Sequence, residues 1–140
     1  MSQPTSLRLP DPVKQRLERA ADRHGERPAA AAVRLIDEGL RMADHPGVVF
    51  HDSLTHGRVA TIAGGPDVAE VIAIVVNLEA RGEDRVTQAA SWLGIHPSLV
   101  RVALDYYTEH REEIDGQIER RSLEADELRR RHDAQRTLLE

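Results

Sequence analysis

Three histidines, His45, His51 and His56, lie close together in the sequence and are the first residues that could hold a metal ion. Neutral imidazoles bind Zn²⁺, and positions along one hairpin would allow the three rings to converge. The chain contains no cysteine, however, and no second group of metal-ligating residue types accompanies these histidines in the sequence. We therefore interpret them as part of a solvated hairpin, and we predict no metal site and no cofactor.

Asp52, Ser53 and His56 are the residue types of a catalytic triad. They lie too close together on one loop to take the three separate positions of nucleophile, base and orienting acid. In addition, no element that could stabilise an oxyanion is evident nearby. We therefore predict no catalytic residues, and we do not expect the chain to be an enzyme.

Length and composition limit the remaining possibilities. A chain of 140 residues forms one domain or two small ones, and four aromatic residues imply an aliphatic core. The absence of cysteine excludes disulfides, thiolate metal sites and cysteine nucleophiles. The sequence shows neither the apolar run of a signal peptide nor a stretch long enough to cross a membrane, so we expect a cytoplasmic protein without a membrane partner.

The charges are distributed unevenly. Residues 1–42 carry eight lysines and arginines against six acidic residues, whereas the remainder carries eleven against eighteen. A mildly basic N-terminal part on an acidic body indicates that only this part meets phosphate groups, although an excess of two charges could equally arise by chance.

The N-terminal part has the pattern of one short strand followed by two helices. Ser6–Leu9 alternates polar and apolar side chains, with Leu7 and Leu9 on one face and Ser6 and Arg8 on the other. Asp11 is a suitable N-cap, and Gly25 is a suitable C-terminal cap for a helix that ends near residue 24. A second helix is predicted from residue 28, with its buried stripe at Ala32, Leu35, Ile36, Gly39 and Leu40.

The order S-L-R-L-P, then Gly25, then A-A-V-R-L-I-D-E-G-L-R resembles the ribbon-helix-helix family of bacterial repressors and antitoxins. The resemblance implies a homodimer in which two copies of the strand pair and enter the major groove of operator DNA. Ser6 and Arg8 would then face the bases. The start of the second helix, at Arg27, Ala29 and Ala30, would hold a phosphate. Arg27 replaces the usual small hydroxyl cap of the family.

The middle of the chain predicts a β-hairpin followed by helices. Val48–Phe50 and Arg58–Ile62 are short strand patterns, and the apolar run from Val68 to about Ala80 favours a central helix, with a strand at Ile72–Val76 as the alternative. Ala90, Gly94 and Val100 then have the spacing of a helix-turn-helix. Because its outer face carries few basic residues, we favour packing over groove recognition for this motif.

This middle part has a resemblance of its own. The stretches H-P-G-V-V-F-H-D, G-R-V-A-T-I-A-G-G-P-D-V and A-L-D-Y-Y-T-E-H-R-E-E-I-D are similar to an uncharacterised bacterial domain with a small hairpin and a helix-turn-helix core. That domain occurs in antitoxins encoded beside PIN-like ribonuclease toxins. The resemblance therefore implies a PIN-like toxin as the second partner. The family usually has a G-T-R turn after its second strand, and this chain has A-G-G-P-D at that place. Any role that the family gives to the arginine of that turn therefore cannot be transferred to this chain.

Residues 116–140 predict an exposed, highly charged helix. Three interpretations stay open: a solvated extension of the preceding helix, a dimerisation arm, and a partner-binding helix, which we favour slightly. Arginines can insert among the acidic residues of a nuclease site. The candidate toxin-binding residues are Arg120, Arg121, Arg129, Arg130 and Arg131.

The sequence thus predicts a mainly α fold with small β elements. Its parts are a ribbon-helix-helix dimer at 1–44, a hairpin plus helix-turn-helix (winged-helix-like) domain at 45–115, and a C-terminal helix at 116–140. The predicted function is that of an antitoxin that neutralises a PIN-like ribonuclease and represses its own operon. The alternatives are a stand-alone transcriptional regulator whose middle domain senses or oligomerises, and an adaptor protein that binds no DNA. We expect specific binding to need more than one dimer on the DNA, or help from the helix-turn-helix.

Overall fold

The computed structural model describes residues 2–140, which fold into six helices and one two-stranded sheet. The described chain is therefore mainly helical with small β elements, as predicted. It divides into two compact units, Met1–Ala43 (unit 1) and Asp44–Glu140 (unit 2). Unit 2 includes both the predicted middle domain and the predicted C-terminal tail. The elements are α1 (Asp11–His24), α2 (Pro28–Asp44), β1 (Val48–Ser53), β2 (Gly57–Ile62), α3 (Val68–Asn77), α4 (Gly82–Leu93), α5 (Pro97–Glu109) and α6 (Arg111–Leu139).

Local signals explain the helix ends in unit 1. Helix α1 begins one residue earlier than predicted, so Pro10 takes the N-cap position and Asp11 lies in the first turn, where its carboxylate faces the positive end of the helix dipole. Gly25 ends the helix in the left-handed conformation (φ 61°), and its N–H donates to the carbonyl of Asp22. Helix α2 begins at Pro28, as predicted.

Residues 2–10 form neither helix nor strand in the single chain, and all of them are exposed. The predicted strand at Ser6–Leu9 is therefore absent from the isolated protomer. A strand requires a hydrogen-bonded neighbour, and the neighbour expected here is the same segment of a second copy. The ribbon accordingly stays a prediction about the dimer.

The predicted hairpin is present in unit 2. Strands β1 and β2 pair antiparallel, with Val48 opposite Ile62 and Ser53 opposite Gly57. Val59, Ala60 and Ile62 of β2 are buried, which anchors the hairpin to the helices. The strands extend beyond the predicted ranges toward the turn, where Asp52 pairs with Arg58.

The apolar run after the hairpin forms helix α3, so the helical interpretation is confirmed over the strand alternative. Asp67 caps it by accepting a hydrogen bond from the N–H of Glu70 at 2.9 Å. Val68, Val71 and Ile72 are almost completely buried, and the helix packs against α4, α5 and α6. Its all-round apolar surface follows from this central position.

Helices α4 and α5 are joined as the helix-turn-helix spacing predicted. Gly94 is in the left-handed conformation (φ 67°), and the Ile95 N–H donates to the carbonyl of Ala90 at 3.0 Å. Ala90 and Val100 are buried on either side of this turn, where they allow the two helices to approach closely. Tyr106, near the end of α5, is the largest fully buried side chain.

Helix α6 begins at Arg111 rather than near Gly116, and it divides into two parts by burial. Ile114 and Gln117 are buried, so the first turns belong to the core of unit 2. All residues from 122 to 140 are exposed. Among residues 2–140, no helix combines the length and the apolar character that a membrane crossing requires.

Candidate functional site

An open apolar groove of about 1590 Å³ lies between the N-terminal segment and the two helices of unit 1. Its apolar walls include Leu7, Leu9, Val13, Val33 and Ile36. All five of these side chains are exposed, Leu7 at 66% and Val33 at 69%. Within unit 1, from residue 2 onward, these apolar side chains stay exposed along the groove, beside charged lining residues such as Arg16 and Arg19.

The N-terminal segment alternates along this groove. Gln3, Thr5, Leu7 and Leu9 line it, whereas Ser6 and Arg8 do not. A spacing of two residues is the signature of extended, strand-like backbone. The predicted division between an apolar face and a Ser6/Arg8 face therefore matches the placement of these residues in the protomer.

Residues 2–43 of unit 1 bury very little apolar surface. The buried apolar residues in this range are two alanines, Ala21 and Ala31. The stripe of α2 that the sequence predicted to be buried is instead largely exposed, with Ile36 at 49% and Leu40 at 61%. Burial of two methyl groups provides little hydrophobic stabilisation, at about 25 cal/mol per Å² of apolar surface.

The predicted phosphate anchor lies at the exposed start of α2. Arg27, Ala29 and Ala30 are all exposed there, and the Arg27 carbonyl accepts the first helical hydrogen bond, from the Ala31 N–H at 3.0 Å. The N–H groups of Ala29 and Ala30 precede that bond, so they are free of helical partners and can face an anion. Pro28 has no N–H, which leaves these two amides and the Arg27 side chain as the donors.

An ion-pair cluster stiffens the turn before this anchor. The Arg34 guanidinium donates to Glu26 Oε1 at 2.6 and 3.0 Å and to the carboxylate of Glu38 at 3.3 and 3.4 Å. The hydrogen bond to Glu26 raises the pKa of Arg34 above its ordinary value. Glu26 lies in the loop between α1 and α2, so the cluster restrains the loop that contains Arg27.

The three histidines His45, His51 and His56 have three different environments. His51 Nδ1 lies 2.6 Å from Thr61 Oγ1 across the hairpin, and His56 is exposed at its tip. His45 is 2% exposed and lies elsewhere, against α5. Ser53 Oγ accepts the N–H groups of Thr55 and His56, so it stabilises the hairpin turn.

His45 has a carboxylate at each ring nitrogen. Its Nδ1 lies 3.1 Å from Asp105 Oδ2, and its Nε2 lies 3.1 Å from Glu109 Oε2. The ring of His110 is 5.5 Å from that of His45 and stacks on Tyr106 at 4.4 Å. This histidine–carboxylate cluster (His45, Asp105, Glu109 and His110) joins the segment before β1 to the end of α5.

The outer face of the helix-turn-helix has mixed charge. Arg101 pairs with Glu83, and Ser98 Oγ lies 2.8 Å from His96 Nδ1. Asp105, on the same helix, faces His45. A surface with paired charges of both signs offers less to a phosphate backbone than a run of free cations.

The five candidate arginines of α6 fall into two groups. Arg121 is largely buried and donates to Asp67 Oδ1 at 2.8 Å, whereas Arg120 is exposed.

The exposed arginines nearer the C-terminus pair within the helix, Arg129 with Asp126 and both Arg130 and Arg131 with Glu127. Such exposed pairs contribute about 0.3–0.5 kcal/mol each, so a partner can replace them at little cost.

No family model, curated protein or solved structure matches this chain. Its interpretation therefore depends on its own geometry. That geometry offers two candidate sites, the apolar groove with the exposed start of α2 in unit 1 and the histidine–carboxylate cluster in unit 2.

Sequence reasoning did not find the cluster, because Asp105 lies 60 residues from His45. One local signal was present: Glu109 and His110 are adjacent in the sequence. The third ligand, His45, comes from a distant segment, and no spacing rule identifies such a segment.

Proposed function

We propose that this protein is a dimeric DNA-binding repressor that acts as the antitoxin of a PIN-like ribonuclease. The observation that carries the DNA-binding part is the alternation of the N-terminal segment, with Leu7 and Leu9 toward an uncovered apolar groove and Ser6 and Arg8 away from it. An exposed segment with one apolar face and unpaired backbone groups is a template for pairing with another strand.

A second copy of the chain is the occupant that fits the groove. In a two-fold dimer each surface meets its own copy, so the apolar faces of both segments and both α2 helices become buried together. The two segments then form an antiparallel ribbon, which has the width to enter the major groove. Arg8 from each protomer donates to guanine, and Ser6 contacts a neighbouring base.

The start of α2 holds the DNA backbone in this arrangement. Arg27 and the amides of Ala29 and Ala30 bind a phosphate on each side of the ribbon, and such contacts set orientation without selecting sequence. The contribution of Arg8 and that of Arg27 are therefore distinguishable by experiment.

The antitoxin part is supported by the exposed half of α6. Leu123, Leu128 and Leu138 are 60–85% exposed there and alternate with arginines, which suits a helix that binds a partner through both apolar and charged contacts. The ion pairs that these arginines make within α6 are weak, so the arginines are available for the acidic residues of a metal-dependent nuclease.

The test is a gel-shift titration of the full chain on the DNA upstream of its own gene. Arg8→Ala should abolish preference for that DNA over random DNA. Arg27→Ala should weaken binding to both about equally, and Arg136→Ala in α6 should bind like the parent. Equal affinity of parent and Arg8→Ala for the upstream DNA would refute the ribbon as the reading element. Co-expression with the neighbouring gene product tests neutralisation, which Arg8→Ala should leave intact.

The second candidate is a stand-alone regulator whose unit 2 senses a ligand, and the histidine–carboxylate cluster favours it. The two candidates differ in the partner. The antitoxin co-purifies with the product of a neighbouring nuclease gene, and the regulator does not.

A further inference from the structure

The surroundings of His45 are unusual because both nitrogens of one buried ring face carboxylate oxygens at 3.1 Å. A neutral imidazole has one N–H and one lone pair. If Nδ1 donates to Asp105, the lone pair of Nε2 points toward Glu109, and two acceptors face each other. A cation between them, or a second proton on the ring, removes this conflict.

His110 adds a third donor of the same kind. One ligand atom from each of His45, Glu109 and His110 lies within 4.8 Å of the other two. Two imidazoles and a carboxylate form a donor set that suits Zn²⁺ and related divalent transition metals. Ligand atoms around a tetrahedral Zn²⁺ with bonds of about 2.0–2.1 Å are slightly more than 3 Å apart, close to the distance between His45 Nε2 and Glu109.

Asp105 occupies the place of an orienting carboxylate. Metal-binding histidines commonly donate their second ring N–H to such a group, which fixes the tautomer and presents the other nitrogen to the metal. The Asp105 carboxylate accepts a hydrogen bond from the Nδ1–H of His45. The other ring nitrogen, Nε2, then faces Glu109 and the rest of the donor set. The orientation of the buried ring is thus set without the ion.

Two further features favour a positive ion at this place. Glu109 is the last residue of α5 and His110 its C-cap, and a helix C-terminus attracts cations. The His110 ring is held by its stacking on Tyr106, whose hydroxyl donates to Glu113 at 2.8 Å. A ligand ring already held in position loses little freedom when it binds.

We propose that His45, Glu109 and His110 bind one divalent transition-metal ion, best Zn²⁺, with Asp105 as the orienting residue. Three protein ligands leave a coordination position for water or for a donor from a partner. The ion would link the segment before β1 to the junction of α5 and α6, and so stabilise unit 2. This inference does not rest on the proposed function.

The experiment is a calorimetric titration of the full chain with zinc chloride after dialysis against a chelator. We expect one Zn²⁺ per chain and a higher melting temperature in its presence. Glu109→Gln, at an exposed position, and His110→Ala, at a half-buried one, both keep the His45 ring and should abolish binding. Asp105→Asn should weaken it by about 10- to 100-fold, as expected for an orienting residue. Circular dichroism would show that each variant is folded.

Matched controls identify the site. Glu112→Gln removes an exposed carboxylate close by on α6, and His132→Ala removes an exposed imidazole. Both should bind Zn²⁺ like the parent.

Co²⁺ gives a second readout, since a site with four ligands produces visible absorption bands that His110→Ala should remove. Absence of saturable Zn²⁺ binding by the parent would overturn the proposal. If Glu109→Gln and His110→Ala bind Zn²⁺ as tightly as the parent does, the proposal is overturned in favour of adventitious binding.

Discussion

Arg121 on α6 donates to the carboxylate of Asp67, the residue that caps α3, at 2.8 Å. Both side chains are largely buried, at 20% and 16% exposure. The same Asp67 oxygen accepts the N–H of Glu70. One carboxylate thus holds the start of the central helix and attaches the last helix to it.

The two roles of Asp67 can be separated by mutation. Asn is as good an N-cap as Asp but carries no charge. Asp67→Asn should therefore lose only the ionic contact with Arg121, and destabilise the protein by about 1–3 kcal/mol. Asp67→Ala should also lose the cap and cost about 1 kcal/mol more. Urea denaturation measures both values.

The matched control for this pair is Asp126→Asn, which breaks the exposed contact with Arg129. Its effect should stay within about 0.5 kcal/mol, as for other surface positions. Equal stability of Asp67→Asn and the parent would show that the Arg121 contact contributes nothing.

The uncovered groove of unit 1 predicts that Val33→Glu prevents dimerisation. Val33 is 69% exposed in the protomer, so a glutamate there is harmless to the single chain. In a dimer it would place two unpaired charges in an apolar interface. We expect dimer affinity to fall by about 30-fold or more. Sedimentation equilibrium should give about twice the chain mass of 15.6 kDa for the parent and the single mass for the variant.

Leu54→Glu is the control for this experiment, since Leu54 is a fully exposed apolar residue at the tip of the hairpin in unit 2. It should dimerise like the parent. A monomeric parent at micromolar concentration, or a dimer that Val33→Glu leaves unchanged, would contradict the dimer through the groove.

The turn of the helix-turn-helix predicts a backbone effect at Gly94. A Cβ at this position would meet no atom within 4 Å, so the cost of Gly94→Ala comes only from its φ of 67°. We expect a loss of about 1–2 kcal/mol. Gly94→Asn should lose less, because Asn tolerates the left-handed conformation. Thermal denaturation should rank the parent first, Asn second and Ala last, and any other order would contradict this explanation.

A further prediction concerns the pH dependence of the contact between Tyr107 and Asp115. The Tyr107 hydroxyl donates to Asp115 Oδ1 at 2.6 Å, and this hydrogen bond raises the pKa of Tyr107 above its ordinary value of 10.0. The folded state therefore holds the phenolic proton more tightly than the unfolded chain. The contact contributes its full stability below pH 10.0 and loses it as the pH rises through the folded-state pKa.

Comparison with Tyr107→Phe measures this contribution. The parent should be the more stable protein at neutral pH, and its advantage should shrink at alkaline pH. The advantage of the parent over Asp115→Asn should also shrink at alkaline pH, because that variant likewise lacks the hydrogen bond from Tyr107 to a carboxylate. A difference between parent and Tyr107→Phe that grows above pH 10.0 would contradict the assigned sign.

The parts of the fold that the sequence predicted are those set by neighbouring residues. Gly25 and Gly94 end their helices because their backbone allows positive φ, and Asp67 begins α3 with a local hydrogen bond. Such signals act over a few positions and can be recognised without a structure. The hairpin and the central helix were predictable for the same reason.

The parts that could not be predicted depend on distant partners. Burial of His45 depends on Asp105 and Glu109, and the start of α6 at Arg111 depends on the packing of Ile114. The predicted strand at Ser6–Leu9 is absent from the single chain, in which this segment has no neighbouring strand to pair with. Contacts between distant segments decide such features, and hydrophobic periodicity or a helix cap does not encode them.

The outer half of α6 has a consequence for the lifetime of the protein in the cell. The 29-residue helix is about 43 Å long, and from residue 122 onward no core protects it. Its pairs between Arg129 and Asp126 and between Arg131 and Glu127 hold it only weakly. A protease that cuts after arginine could shorten this segment while the rest of unit 2 stays folded. A partner that covers the segment would also protect it, so the length of the intact chain would report whether that partner is bound.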